Sequence, residues 1–314
     1  MKGRIVMSSE NDKAIEKILP EVLEEAARIK AINKMIRISG ERYCIPLDGR
    51  DIDIAYYRCG RSDPPLIVGL HGGGFLLGGC YLDDDLWLNV TEALGMDVVS
   101  IGYRMSPDVM DYDCLNDAYD SILYLRDHAD QFGFDKEHIS VLGCSAGGNL
   151  AAAAALLAGQ RKDIRLDCQI LVYPFLDGYT DPDLKGEGSF GGLMTHIMNK
   201  LHFTPENAKD PLLSPAFADR KMLEGTAKAI VVYCENDNLR PEAVRYCEQL
   251  REAGVSVSEF YAREMPHGYF ETGFKKRLTD IDMQFLGENA NELVESGLLR
   301  RRCEETLEFI KTEL

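Results

Sequence analysis

Between Lys13 and Met35 the apolar residues Ile15, Ile18, Leu19, Val22, Leu23, Ala26, Ile29 and Ile32 recur in steps of three and four. That spacing lines one face of an α-helix. Pro20 falls within the stripe and is expected to start a second helix, since proline lacks a backbone donor and suits a first helical turn. From Tyr43 the pattern shortens. Tyr43 to Pro46 and Ile52 to Tyr57 alternate on either side of Asp48-Gly49, which predicts an antiparallel pair joined by a turn at a sheet edge.

Apolar runs follow at Leu66–Leu70, Val98–Gly102, Ile139–Leu142, Gln169–Pro174 and Ala229–Cys234, and Val255–Tyr261 returns as a further strand. Runs of this length without alternation belong to strands covered on both faces. Helical stripes separate them: Leu115, Ala118, Tyr119, Ile122, Leu123 and Leu125; an alanine-rich run to Ala158; and Val244, Cys247, Leu250 and Ala253, closed by Gly254. Strands alternating with helices predict an α/β fold, with a mostly parallel central sheet and helices on both faces. Leu176 to Asp210 breaks the alternation, being rich in Gly, Asp and Pro before an amphipathic Leu193 to Leu201, and is expected to be an insertion above the strand ends. A last helix carries Leu299, Cys303, Leu307, Ile310 and Leu314 on one face. No internal repeat or composition break divides the chain, so residues 1–314 are expected to form one domain.

Two stretches carry chemistry. Gly143-Cys144-Ser145-Ala146-Gly147 lies between a predicted strand and a predicted helix. Glycines two residues either side of a serine allow a strained turn that projects its hydroxyl above the sheet, and the following helix aims unpaired N–H groups at the same place. His71-Gly72-Gly73-Gly74-Phe75 follows another buried strand; its backbone, free of Cβ atoms, can approach a substrate oxygen closely. A third match is rejected: residues 186–191 spell G-x-G-x-x-G, but no strand precedes them and Asp181, Asp183 and Glu187 would repel phosphate, so a mobile loop is expected.

Composition narrows the field. A net charge of −17 argues against nucleic acid and anionic membrane surfaces as partners. The nine cysteines lack C-x-x-C spacing and do not cluster with histidines, which points away from zinc and a disulfide framework. With no apolar leader and no run of about 18 apolar residues, a cytoplasmic protein without a membrane span is expected.

A serine hydroxyl needs a base, and the base an orienting carboxylate. His267, on a loop after the last predicted strand, is the best base; His71 belongs to the glycine loop, and His128, His138, His196 and His202 are expected to serve as surface polar groups. Glu235 and Asp237 both sit at a strand exit, and either suits the carboxylate. The order Ser, acid, His is the one expected of the α/β-hydrolase fold.

Taken together, His71 to Phe75, Tyr103-Arg104 with Pro107, Gly143 to Leu150, Tyr173-Pro174, Asp210-Pro211, Ser214-Pro215, Asp237 with Leu239-Arg240, and His267-Gly268 resemble the hormone-sensitive lipase family of microbial esterases, acetyl esterases among them. The resemblance implies an α/β-hydrolase fold with a helical cap from about residues 1–42 and 176–210, a triad of Ser145, Asp237 and His267, and an oxyanion hole from the N–H groups of Gly73, Gly74 and Ala146. It prefers Asp237 to Glu235. The implied activity is hydrolysis of small-molecule, short-chain acyl esters through an acyl-enzyme, with no metal or organic cofactor. An amide-cleaving deacetylase or peptidase of the same fold, and a non-catalytic small-ligand receptor, are the alternatives. Phe75, Leu76, Leu77, Trp87, Phe175 and Tyr269 are pocket candidates that core packing explains equally well. Two departures stand out. Cys144 occupies a position that is commonly Asp in the family, and its thiol is expected to confer sensitivity to thiol reagents. Lys275 to Gly297 is expected to be an insertion that shapes either the pocket or a homodimer contact.

Overall fold

The computed structural model describes residues 9–185, 188, 192–279, 282–283 and 286–314. Its centre is an eight-stranded sheet in the order β1-β2-β4-β3-β5-β6-β7-β8, built from β1 (Glu41–Leu47), β2 (Arg50–Tyr57), β3 (Leu66–Leu70), β4 (Asp97–Ile101), β5 (Ile139–Cys144), β6 (Cys168–Val172), β7 (Lys228–Asn236) and β8 (Val257–Pro266). The β1–β2 and β2–β4 pairs are antiparallel, and all others are parallel. This is the expected α/β-hydrolase architecture. Every residue of β3, β4, β5 and β6 is buried, which is why these strands read as unbroken apolar runs.

Alternate strand residues feed two cores. Val68, Leu70, Val99, Val141, Leu171 and Val231 face one layer, formed by helices α3 (Asp113–Asp127), α4 (Ala146–Arg161) and α6 (Arg240–Glu252). Ile67, Val98, Leu142, Cys144, Ile170 and Val232 face the other, covered by α2 (Asp84–Leu94) and α7 (Leu298–Glu313). Helix α2 escaped the sequence reading because its apolar stripe is short: Leu86, Trp87 and Val90 are its buried apolar positions. Trp87 packs so tightly on β3 that a Cβ on Gly69 would lie 2.8 Å from its ring.

A third cluster joins α1 (Ser9–Met35) to α5 (Leu193–His202) through Ile15, Ile197 and the loop residues Leu76 and Leu77. Pro20 does not start a second helix; it lies within α1. A proline costs one i to i−4 bond, and here the helix continues because its stripe is anchored on both sides of Pro20 by packing against α5 and the glycine loop. Of the string at 186–191, only Gly188 is among the described residues, so the expected mobile loop falls outside them. In the 275–297 stretch, a short helix at Ala290–Glu295 packs Ala290 and Leu293 into the second core, with Leu286 beside them.

The turn between β5 and α4 is pressed into its neighbours. A Cβ on Gly147 would lie 2.0 Å from the Leu70 carbonyl oxygen, and one on Gly143 would lie 2.0 Å from that of Gly147. Both obstacles are backbone, which cannot rotate away. Gly147→Ala is therefore expected to destabilise the fold by ~2 kcal/mol or more, read as a lower urea midpoint. A midpoint equal to that of the parent would show that the turn has room to spare.

Candidate active site

Parallel strands all end on one side of a sheet, so the loops after β3, β5, β7 and β8 meet above one edge. Ser145 occupies the turn after β5 with φ 55° and ψ −116°, a conformation that costs free energy and persists only where its surroundings enforce it. They do: Ser145 N donates to Val172 O at 3.0 Å, and Ser145 O accepts from Asn149 N and Phe175 N, both at 3.1 Å.

His267 follows β8, and its Nε2 lies 2.9 Å from Ser145 Oγ. Its Nδ1 lies 2.8 Å from Asp237 Oδ2. Since a carboxylate only accepts, Nδ1 carries the proton and Nε2 is left to accept from the serine. Asp237 is fixed in turn by Leu239 N, which donates to Oδ1 at 2.9 Å. The three residues are 2–5% exposed, so water competes little for these bonds. Glu235 is not part of this set. It is exposed on β7 and accepts from Glu264 N through Oε2 at 2.8 Å.

The loop after β3 is braced from below. Buried His71 donates from Nδ1 to Gly72 O at 2.7 Å and stacks on Tyr103 at 4.2 Å, while Tyr103 Oη donates to His71 O at 2.7 Å. Burial drives the His71 pKa down to about 4, so the ring holds the loop as a neutral group. Gly73 and Gly74 have φ 112° and 62°, values that only glycine adopts freely. Gly73 O accepts from Leu76 N at 3.1 Å and Leu77 N at 2.8 Å, closing the loop on itself. Both glycines line one cavity of about 160 Å³ together with Ser145 and His267. Ala146 is the first residue of α4 and is buried beside Ser145.

Several expectations need correction. Of the six pocket candidates only Leu77 lines the cavity; Phe75, Leu76, Trp87, Phe175 and Tyr269 are buried in the apolar clusters. His196 and His202 are 3% and 2% exposed, not surface groups. His202 stacks on Phe75 at 3.8 Å, and burial lowers its pKa to about 3. Cys144 points away from the serine into the second core and is fully buried. Burial and the nearby charges of Glu271 and Asp83 raise its thiol pKa well above the ordinary range, so it is neither reachable nor a thiolate.

The cavity also has a charged wall of Asp83, Glu271, Lys275 and Asp282, so the start of the 275–297 stretch shapes the pocket, as one of its two expected roles had it. Glu271 lies four residues after His267, in the single helical turn Tyr269–Thr272. Asp83 is the residue that precedes α2, and Lys275 and Asp282 come from the 275–297 stretch. Elsewhere among the described residues, Asp181, Asp183 and His196 bring three potential metal donor atoms within 4.8 Å of one another. His196 Nε2 is already 3.0 Å from Asp183 Oδ1, and Asp183 is exposed.

A family model for the alpha/beta hydrolase fold matches residues 67–271. The chain belongs to that family. Its resemblance to hormone-sensitive-lipase-type esterases is borne out by that match and by its esterase relatives. This alpha/beta hydrolase is 31% identical over 234 residues to an arylesterase of Saccharolobus solfataricus, covering 72% of this chain and 75% of that protein. It is 29% identical over 236 residues to an ethyl acetate hydrolase of Pseudomonas putida, covering 72% and 74%. Among solved structures, an esterase of Pyrobaculum calidifontis is 26% identical with a TM-score of 0.72, covering 91% of this chain and 93% of that one.

Alkylation of the native hydrolase with iodoacetamide is expected to modify Cys44, which is exposed, and to leave Cys144 and the activity untouched. Peptide mass mapping reads the sites; labelled Cys144 in folded protein would contradict its burial.

Proposed function

We propose that this alpha/beta hydrolase is a serine carboxylesterase for short-chain acyl esters. The observation that carries the reading is the continuous relay Asp237–His267–Ser145, at 2.8 Å and 2.9 Å, in a cavity bordered by a glycine loop. In this reading His267 accepts the Ser145 proton as Oγ attacks the ester carbonyl. Asp237 stabilises the imidazolium that forms and keeps the ring in the required tautomer. The N–H groups of Gly73, Gly74 and Ala146 receive the charge developing on the carbonyl oxygen; one donor of this kind contributes ~10² to 10³ in rate. The imidazolium then protonates the departing alcohol. A water activated by the same nitrogen releases the acid and frees the serine.

The modest cavity, about 160 Å³ with Ile29, Leu77 and Met198 on its apolar side, supports a small acyl group. Met198 seats so closely on the oxyanion loop that a Cβ on Gly74 would lie 2.1 Å from its sulfur. Ile29 belongs to α1 and Met198 to α5, which supports a cap made of these two helices. No helix among the described residues is long and apolar enough to cross a membrane. All nine cysteines are free thiols, which supports a reducing compartment, the cytoplasm, for the reaction.

On 4-nitrophenyl acetate, Ser145→Ala is expected to lower kcat by ~10⁴ to 10⁶, with an unchanged melting temperature confirming that the fold is intact. Retention of more than about a tenth of the activity would remove Ser145 from the chemistry. Asp237→Asn is expected to cost about 10⁴ in kcat through the wrong histidine tautomer. In a series of 4-nitrophenyl esters from acetyl to decanoyl, kcat/KM should be highest at the short end, and a decanoyl optimum would overturn the short-acyl assignment. Turnover of 4-nitroacetanilide at a rate rivalling the acetate ester would favour an amidase instead.

A further inference from the structure

The charged wall is out of place in a site built only for a plain acyl ester. Its members are contributed by separate stretches: Asp83 by the residue preceding α2, Glu271 by the helical turn after His267, Lys275 and Asp282 by the stretch that follows. Lys275 Nζ bonds Asp282 Oδ1 at 2.7 Å. Asp282 Oδ2 is taken by Thr279 N and Thr279 Oγ1, both at 2.8 Å. Lys275 hydrogen-bonds only Asp282, but its charge also acts on Asp83 and Glu271, so among the described residues of the wall one cation stands against three carboxylates.

Asp83 and Glu271, which Lys275 does not hydrogen-bond, both line the cavity. Glu271 Oε2 accepts from Tyr173 Oη at 2.6 Å, while its Oε1 rests against the start of the glycine loop, where a Cβ on Gly72 would lie 2.2 Å away. Asp83 caps no helix N–H, and among the described residues no donor hydrogen-bonds its carboxylate. Carboxylates in this condition are costly to ionise unless something brings a compensating charge, and burial accordingly raises the pKa of both. An anionic ligand would add a further negative charge beside Asp83 and Glu271, and a neutral chain would leave the excess of carboxylates over Lys275 to be relieved only by proton uptake. We infer that the cavity is shaped for esters that carry a positively charged nitrogen, in the alcohol or the acyl part, held against Asp83 and Glu271. This rests on the esterase reading of the site and adds its substrate class.

The pair gives the preference a pH signature. Glu271 is faced by Asp83 on the α2 side, Lys275 and His267 on its own stretch, Tyr173 after β6, and the buried Cys144 thiol beneath. Burial first, then the charge of Asp83, raises its pKa to about 7. The wall therefore becomes more negative as pH rises through neutrality, and attraction for a cation strengthens with it.

The test uses the full chain and two pairs of esters matched in shape and differing in charge. Acetylcholine against 3,3-dimethylbutyl acetate places the nitrogen in the alcohol; the 4-nitrophenyl esters of 4-(trimethylammonio)butanoic and 5,5-dimethylhexanoic acids place it in the acyl chain. In at least one pair the cationic member should have the higher kcat/KM by about tenfold or more. That ratio should grow from about pH 6 to about pH 8 and fall toward one in both Asp83→Asn and Glu271→Gln. Because both members of a pair depend on the same triad, the ratio reports the wall and not the triad. Ratios near one in both pairs, a ratio that persists in both variants, or faster turnover of a hemisuccinate ester than of its neutral counterpart would each overturn the inference while leaving ester hydrolysis in place. Absence of turnover with every ester, 4-nitrophenyl acetate included, would instead overturn the esterase reading itself. The parent enzyme's ratios and their pH trend need no variant, so misfolding of either substitution would not shield the inference.

Discussion

The backbone of Ser145 is held where an L-amino acid resists going, and the site depends on that constraint. At φ 55° and ψ −116° the residue is stable only because its N–H and carbonyl are bonded to Val172 and Phe175 on the neighbouring strand and its exit loop, and because Gly143 and Gly147 let three backbone segments touch. Strain of this kind costs ~1–3 kcal/mol, and the core on either side of the sheet offsets it. What the strain achieves is placement: the hydroxyl stands clear of the sheet, at hydrogen-bond distance from an imidazole that reaches it from the far end of the chain.

That encounter follows from topology. Ser145, Asp237 and His267 follow or end β5, β7 and β8, and the glycine loop follows β3. In a parallel sheet with the order β3-β5-β6-β7-β8 these exits fall side by side, although the residues are separated by 122 and 30 positions in sequence. Loops are free to carry chemistry here because rigid, fully buried strands position them. The bulge between Cys234 and Asn236 lies immediately before Asp237, at the point where the strand must release its carboxylate toward the histidine.

Burial assigns opposite fates to groups a few ångströms apart. It silences Cys144 and His71, one raised and the other lowered in pKa by loss of water, so that the first is inert and the second a neutral brace. At Glu271 the same desolvation is joined by the charge of Asp83, and the result is a carboxyl balanced near neutrality on the wall of the cavity. A low-dielectric pocket makes each unmatched charge matter more than it would in water, and this is what turns the arrangement of four ionisable side chains into a statement about the ligand.

Local patterning sufficed for much of this protein. Unbroken apolar runs marked the buried strands, and the glycines around Ser145 and after His71 were legible because only that residue tolerates the required backbone approach. His267 stood out among the histidines because it follows a strand. Other features lie beyond any local pattern. Cys144 flanks the serine in sequence but is the last residue of β5 and is buried in the layer under α2 and α7, while Ser145 already belongs to the turn. Pro20 sits inside a helix because packing outweighs one lost hydrogen bond. Between Glu235 and Asp237, two residues of one type of chemistry at one strand exit, local pattern does not choose; the family resemblance favours Asp237, and it is Asp237 that lies against the imidazole. The charged wall is the extreme case: its residues come from distant stretches, and their shared electrostatics exist only once folding has removed the water between them.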